Sequence, residues 1–389
     1  MSPAVSDTDR LAQSRQVPPP ALEITETIVR DGHGGGRSTE IVSEPAAFAA
    51  LEAPWRDLSA SLASPLLGFD WFDSWRRALG EPELAVIAVR DGPELRAALP
   101  LMIDRTTAIP VLRPLDHFAY EVNAFPVINE SALALGCEGA IGLGRPLVLL
   151  RLISEGAELE CLRHLADSGG RGVIRPARSL VSVPLEGSWD AVQAAMRSSS
   201  RTFIRRKLKI AERAGPVHFE AFAPDATNVD EHLDTLFRIE DSGWKRTAGT
   251  SLRADRRIGT FIANYGRASA RAGTLRMFYL RIGGATAAIR MAVEHRRKLW
   301  ELKIGYDERF APCSPGILLM HLTLQHACET GLKGYEFLGS QEGWHNYWPN
   351  VVTPCSSFRF YPFGIAGTLR FAIDAGNAAF KRVKTRSDA

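Results

Sequence analysis

No Cys-x-x-Cys pair occurs in the 389 residues, and the five cysteines (Cys137, Cys161, Cys313, Cys328 and Cys355) are odd in number and scattered. Neither a disulfide framework nor a zinc site is indicated, and a reducing compartment fits. No run approaches the roughly 20 uninterrupted apolar residues of a membrane span. The opening "MSPAVSDTDRLAQSRQVPPP" lacks the apolar stretch of a secretory signal. Charge of one sign is also missing: 47 basic residues stand against 44 acidic ones, so composition does not announce a nucleic-acid binder. These absences predict a cytoplasmic protein that binds no nucleic acid. Residues 1–37 have few large apolar side chains, and "QVPPP" and "DGHGGGR" predict an unfolded tail.

Two stretches resemble each other. "ELAVIAVRDGPELRAALPLMIDR" (83–105) and "TLRMFYLRIGGATAAIRMAVEHR" (274–296) both read as strand, glycine-centred turn, strand, with turns at Gly92 and Gly283. Each follows a helical segment containing tryptophan. A repeat of that length predicts two copies of one domain rather than a solenoid. The second half carries the clearer pattern. "VHFEAF" (217–222) alternates as a strand does. Leu233, Leu236, Phe237 and Glu240 fall at helical spacing behind Asn228 as N-cap, and Ile258, Phe261, Ile262 and Tyr265 form the face of a second helix stopped by Gly273. Strands at 274–293 and 298–306, a helix from Pro315 to Thr330 and a short strand at 333–339 complete an α/β unit with one central mixed sheet between helices.

Between the strand and the helix lies "APCSPG". Ser314 reads as an N-cap, Pro315 suits the first helical position, and Gly316 bares the backbone of the first turn, where free N–H groups and the helix dipole favour an anion such as a phosphate. Gly305 marks a place where the strand can bulge or splay, freeing backbone donors for a ligand carbonyl. Such a combination suits a thioester on a pyrophosphate-bearing handle.

The run "LWELKIGYDERFAPCSPGILLMHLTLQHACETGLKGYEFLGSQEGWHNYW" resembles the core of the GNAT acyltransferase superfamily. With "IEDSGWKRTAG" and "RSSSRTFIRRKLKIAERAG" it is similar, more narrowly, to the CelD-like branch of bacterial cellulose and exopolysaccharide loci, a relative of the Fem-type aminoacyltransferases. The likeness covers about residues 186–362. It implies tandem GNAT-like domains, each a mixed sheet flanked by helices, with boundaries at 38–186 and 187–363; residues 364–389 read by their own spacing as a basic amphipathic helix. It also implies acetyl-CoA as co-substrate and an N-acyltransferase like those of holdfast polysaccharides, working without a metal. The usual pyrophosphate loop, Gln/Arg-x-x-Gly-x-Gly/Ala, is reduced here to a single glycine. The Ser-Pro-Gly opening is normal in the CelD-like branch. Gly305, Ser314, Gly316, Ile317 and Leu318 are the expected coenzyme contacts.

Candidate chemistry groups around this core. Glu301, placed by simple alternation on the same face as Leu299 and Lys303, is a proton acceptor for an attacking amine or one half of a surface ion pair. Tyr306 lines the acyl slot or protonates a leaving thiolate. Asp307 orients the acceptor or caps a turn. Glu240, Asp241, Trp244 and Lys245 suit a sugar or phosphate ligand on the strength of the resemblance, and otherwise mark a helix end. Trp344, His345 and Trp348 read as a carbohydrate-stacking loop with a base, or as a packed lid. Arg201 and Arg205, one helical turn apart, form a phosphate grip or part of a solvated basic face. Cys313 at a helix start invites a nucleophile reading, but no His–Asx partner stands at a suitable spacing. Ile365, Leu369, Ile373, Phe380 and Val383 recur at helical spacing before Lys381, Arg382, Lys384 and Arg386. That stripe either docks on the domain or lies on the inner face of an anionic membrane.

The expected partner is a polysaccharide or a lipid-linked saccharide carrying an amino sugar. The rival expectations are Fem-like aminoacyl or long-chain acyl transfer, and a non-catalytic scaffold that senses a nucleotide, a cyclic dinucleotide among the candidates.

Overall fold

The computed structural model describes residues 30–31, 37–117, 122–242 and 251–387, with 30–31 and 379–387 as backbone only. Strand β1 (Arg30–Asp31) lies within the segment whose composition reads as unfolded, and it pairs with β2 (Arg37–Val42). Then come α1 (Pro45–Ala50), α2 (Glu52–Ser59), α3 (Phe69–Leu79), β3 (Val86–Asp91), β4 (Glu94–Leu99), β5 (Leu101–Asp104), β6 (Val111–Pro114), α4 (Glu130–Gly142), β7 (Leu147–Ile153), α5 (Ala157–Gly169) and β8 (Gly170–Pro184). Helices α6 (Trp189–Ala195) and α7 (Ser198–Ala214) lead to β9 (Val217–Phe222), α8 (Val229–Asp241), α9 (Arg256–Arg271), β10 (Leu275–Ile282), β11 (Ala285–His295) and β12 (Lys298–Tyr306). The chain ends through α10 (Pro315–Glu329), β13 (Gly334–Phe337), β14 (Val351–Pro362) and α11 (Ile365–Ser387).

The same order runs twice: strand, helices, hairpin, strand, helix, strand. Both hairpins turn on a left-handed glycine, Gly92 at φ 58° and Gly283 at φ 57°, a conformation that a side chain disfavours. In the first series Pro100 divides the second hairpin strand into β4 and β5, because proline has no N–H for the ladder. β4 stays in a four-stranded sheet, β1-β2-β3-β4, while β5 opens a ten-stranded sheet of order β5-β6-β7-β14-β8-β13-β12-β11-β10-β9. Its centre is an exchange of strands. β8, from the first series, pairs with β13 of the second, and β14 returns from the second series to pair with β7 of the first. Helices cover both faces, so the mixed α/β architecture expected from the sequence is what the chain adopts.

The cores follow from the helix stripes. Trp71 and Trp75 of α3 meet Phe261 and Tyr265 of α9; Trp75 and Phe261 stack with centroids 4.0 Å apart. The two series are thereby joined by an aromatic layer as well as by the sheet. Helix α9 is capped by Asp255, a signal the sequence reading did not use; its Oδ1 accepts from the N–H groups of Arg257 and Ile258. Asn228 stands at the N-cap of α8, but its side chain accepts from Asp225 N at 3.0 Å in the preceding turn instead of closing the helix.

Candidate active site

β12 pairs with β11 along its length but with β13 only from Lys298↔Gly334 to Glu301↔Phe337. The two parallel strands therefore part directly after Glu301, four residues before Gly305. The expectation of a splay at Gly305 is corrected in position. Its cause is a register shift: Ala292 faces Glu301 and Met291 faces Lys303, so Leu302 is an extra residue in β12. The bulge breaks the alternation, and it also overturns the placement of Glu301 and Lys303 on one face. Lys303 turns towards α8 and lies 3.5 Å from Glu240 Oε1, while Glu301 turns towards α10 and pairs with Arg290 of β11. Gly305 has a different purpose from the expected one. A Cβ there would sit 3.0 Å from Glu240 Cα, so the glycine admits the close approach of α8.

Arg290 is the residue that sequence reasoning passed over. It is 1% exposed, within a stretch of the strand, residues 287–293, that is otherwise apolar. Its guanidinium forms an ion pair with Glu301 Oε2, donates to Tyr335 Oη at 3.2 Å and reaches the Gly316 carbonyl at 3.4 Å. Tyr335 Oη in turn donates to Glu301 Oε2 at 2.7 Å. Burial pushes the Tyr335 hydroxyl up to about 12 and holds Arg290 below its usual value. The signal was legible in principle: one arginine inside "ATAAIRMAV" needs a buried acid.

Of this trio Arg290 lines a cleft of about 280 Å³ whose walls include Ile304, Tyr306, Pro315, Gly316, Ile317 and Trp344, and Glu301 and Tyr335 hold it from behind. The helix start beside it differs from expectation. Ser314 adopts the left-handed conformation at φ 51°, ψ 60°, and its side chain does not cap the helix. A 3-10 turn over Glu308–Cys313 feeds the helix instead. The Ile317 and Leu318 N–H groups both donate to the Ser314 carbonyl, and Pro315 has none. Gly316 is thus the residue whose N–H the first turn leaves for a ligand. Lys207 of α7 donates to the Pro312 carbonyl at 2.7 Å and ties that helix to the turn. Cys313 is buried, donates its thiol to the Phe310 carbonyl and is held above the usual thiol range by burial, which removes the nucleophile reading.

The other predicted residues divide. Tyr306 lines the cleft, and burial raises its hydroxyl above the ordinary phenol value, helped by the carboxylate of Glu308. Asp307 caps the 3-10 turn, accepting from Arg309 N at 3.0 Å and Arg309 Nη2 at 2.6 Å; these bonds lower its pKa. It behaves as a turn anchor. Glu240 is buried and accepts from Leu252 N at 2.7 Å, which places it in the scaffold behind β12 and away from the cleft. Arg201 donates to the carbonyls of Gln193, Ala194 and Met196 and so caps α6, whereas Arg205 is exposed; the two form no joint grip. Trp344 stands at the cleft wall with Nε1 on Glu342 Oε2 at 2.7 Å. His345 is buried behind it, stacked on Trp344 at 3.8 Å, with Nδ1 accepting from Glu342 N. Burial lowers its pKa, and its stacking and hydrogen bond close the loop. Trp348 is likewise buried. Trp244 and Lys245 lie outside the described residues.

His321 on α10 makes a pH prediction. It accepts from Trp348 Nε1 at 3.4 Å, packs edge-on to Trp189, and burial pushes it down to about 4. The folded state then binds fewer protons than the unfolded state below pH ~6.5. Stability contributed by neutral His321 is intact above that pH and is lost as pH falls towards 4. Between pH 7 and pH 5 this one group accounts for about 2 kcal/mol. Urea unfolding at both pH values should show that difference shrinking in His321→Gln; an equal pH response in the variant would contradict it.

The comparisons bear on this region. Residues 198–346 match the family described as acetyltransferase (GNAT) domain. Residues 198–346 thus carry a GNAT-type acyltransferase domain. No curated protein matches the chain. Among solved structures, FemX is similar over 79% of this chain and 94% of its own, with 12% identity and a TM-score of 0.56. The C-terminal domain of a putative lysylphosphatidylglycerol synthetase from Agrobacterium fabrum is similar over 84% and 96%, at 14% identity and a TM-score of 0.51. The L-PGS of Bacillus licheniformis is similar over 85% and 93%, at 12% identity and a TM-score of 0.52. At these identities the likeness is one of fold. A GNAT domain implies an acyl-CoA co-substrate. The cleft's mainly apolar wall and the Gly316 N–H fit the thioester end of such a molecule. Among the described residues, no group of three or more His, Cys, Asp or Glu side chains is arranged to hold a metal ion.

Proposed function

We propose that this GNAT-type protein is an N-acyltransferase that moves an acyl group, acetyl in the simplest case, from acyl-CoA to the amine of an amino sugar in a cell-envelope polysaccharide or its lipid-linked precursor. The observation that carries the reading is the parting of β12 from β13 directly after Glu301, beside a cleft that ends at Gly316. The repeated element order supports two GNAT-like copies, residues 38–186 and 187–363, with the second as the working one. The sugar acceptor is supported by Trp344 at the cleft wall, since an indole face stacks on a pyranose ring.

The chemistry assigned to the chain is modest. As the amine nitrogen bonds to the carbonyl carbon and the C–S bond breaks, Glu301 accepts the proton that the nitrogen loses. Arg290 and Tyr335 fix the carboxylate through Oε2. Tyr306, kept protonated by burial, donates to the departing sulfur. Most of the rate comes from holding amine and thioester together in a water-poor cleft.

The test is incubation of the full chain with acetyl-CoA and a deacetylated amino-sugar polymer, read by mass spectrometry of the polymer and release of the free thiol. Acetylation of the polymer is the expected result. Absence of coenzyme A binding by calorimetry, with the fold intact, would overturn the donor. Acylation of other amines but never of amino sugars would overturn the acceptor.

A further inference from the structure

Helix α11 faces the wrong way for an ordinary surface helix. Such a helix docks its apolar row and shows its polar row to water. Here Phe363, just before the helix, is 74% exposed, and Ile365, Leu369 and Ile373 are 88%, 52% and 37% exposed. The buried row is polar: Arg370 and Asp374 lie against the sheet. Asp374 Oδ2 accepts from Tyr361 Oη at 2.9 Å and from Arg359 Nη1 at 3.0 Å, and Arg370 pairs with the same carboxylate. Phe371 is held between Tyr361 and the guanidinium of Arg171, 4.4 Å from the ring. The ion-pair cluster thus fixes the helix on β14 with its apolar row pointing outwards.

We propose that this outward row is a docking face for an anionic lipid bilayer. Three observations choose that occupant. The row continues in phase through Phe380 and Val383 in the sequence, Lys384 and Arg386 fall on either side of it at helical spacing, and no acidic residue follows Asp374 until Asp388. The one acidic group in the described part of the helix is turned inwards and neutralised, so the free charge is positive and complements anionic headgroups. A second copy would bring the same positive end and offers no such complement. At 23 residues the helix is about 35 Å long, yet no helix among the described residues is long and apolar enough to cross a membrane. It therefore lies along the interface, apolar row down and basic residues at headgroup level. The inference rests on α11 alone and does not need the proposed activity.

The experiment is flotation of the full chain with vesicles of phosphatidylcholine alone and of phosphatidylcholine mixed with phosphatidylglycerol. Binding to the mixed vesicles, weakened by salt, is expected. The Leu369→Asp variant changes an exposed side chain, so its circular dichroism and thermal midpoint should match the wild type while its bound fraction falls about 10-fold. Lys384→Glu with Arg386→Glu should abolish the preference for anionic vesicles. No binding to mixed vesicles, equal binding to both kinds, or binding unaltered by Leu369→Asp would each overturn the proposal. So would a wild-type dimer in sedimentation that dissociates in Leu369→Asp, since a second copy would then occupy the row.

Discussion

Replacing Arg290 by methionine is expected to lower the free energy of unfolding by about 3–5 kcal/mol. Methionine fills most of the arginine's volume, so the loss is not chiefly a cavity. It arises because the Glu301 carboxylate, with 12% of its side chain exposed, would remain charged beneath α10 with Tyr335 as its remaining partner. Truncating one member of a buried ion pair leaves an uncompensated charge, whereas replacing both by apolar groups is often nearly neutral. The double variant Arg290→Met, Glu301→Leu should therefore recover most of the loss, short of about 1–2 kcal/mol for the Tyr335 hydroxyl left without its acceptor. Urea unfolding followed by far-ultraviolet circular dichroism at pH 7 measures all three proteins. If the single change costs no more than the double, Glu301 is not a buried partner of Arg290 and the wall of the cleft has been misread.

Glu301→Gln should reduce turnover by at least ~10²-fold, with the KM for the acyl donor little changed. Glutamine keeps the shape and an acceptor oxygen for Tyr335, but it cannot take a proton from the attacking amine. Because the change also leaves Arg290 without a counter-charge, the rate must be read at a temperature where the variant is folded. The pH profile separates the two effects. Loss of a base removes the acidic limb of kcat/KM, whereas loss of stability alone lowers the whole curve without changing its shape. A full rate in the folded variant removes Glu301 from the chemistry.

The two predictions meet on a residue pair that the primary structure half disclosed. Glu301 was visible as a lone acid among Trp300, Leu302 and Ile304. Strict alternation puts Lys303 on its face and leaves a cross-strand partner open; the one inserted residue, Leu302, moves Lys303 to the other face and leaves Arg290 across the strand as the partner. A bulge leaves little trace in a single sequence, because its cause lies in pairing with β11 and not in β12 itself. Glu240 and His345 were misjudged for a related reason. Each has the chemistry of a site residue, and each is enclosed by packing, Glu240 under β12 and His345 behind Trp344. Of the two readings of Asp307 the turn cap holds, and Arg201 caps α6 instead of gripping a phosphate: in both cases the nearest unsatisfied backbone group or charge claims the side chain first.

Local order was written plainly in the chain. The hairpins at Gly92 and Gly283 follow from glycine's freedom at positive φ. The stripes of α8 and α9 follow from the 3.6-residue period, and the strands at 217–222 and 298–306 appear with the bounds that alternation and composition suggest. These features depend on residues close in sequence, so periodicity and turn chemistry suffice to determine them. What only tertiary structure decided is the crossing of β8 and β14 between the two series, the burial of Arg290 against Glu301 and Tyr335, and the outward turn of α11. Each is settled by contacts between segments far apart in the chain, where a strand's neighbour, a charge's partner or a helix's docking face is chosen by the whole packed molecule.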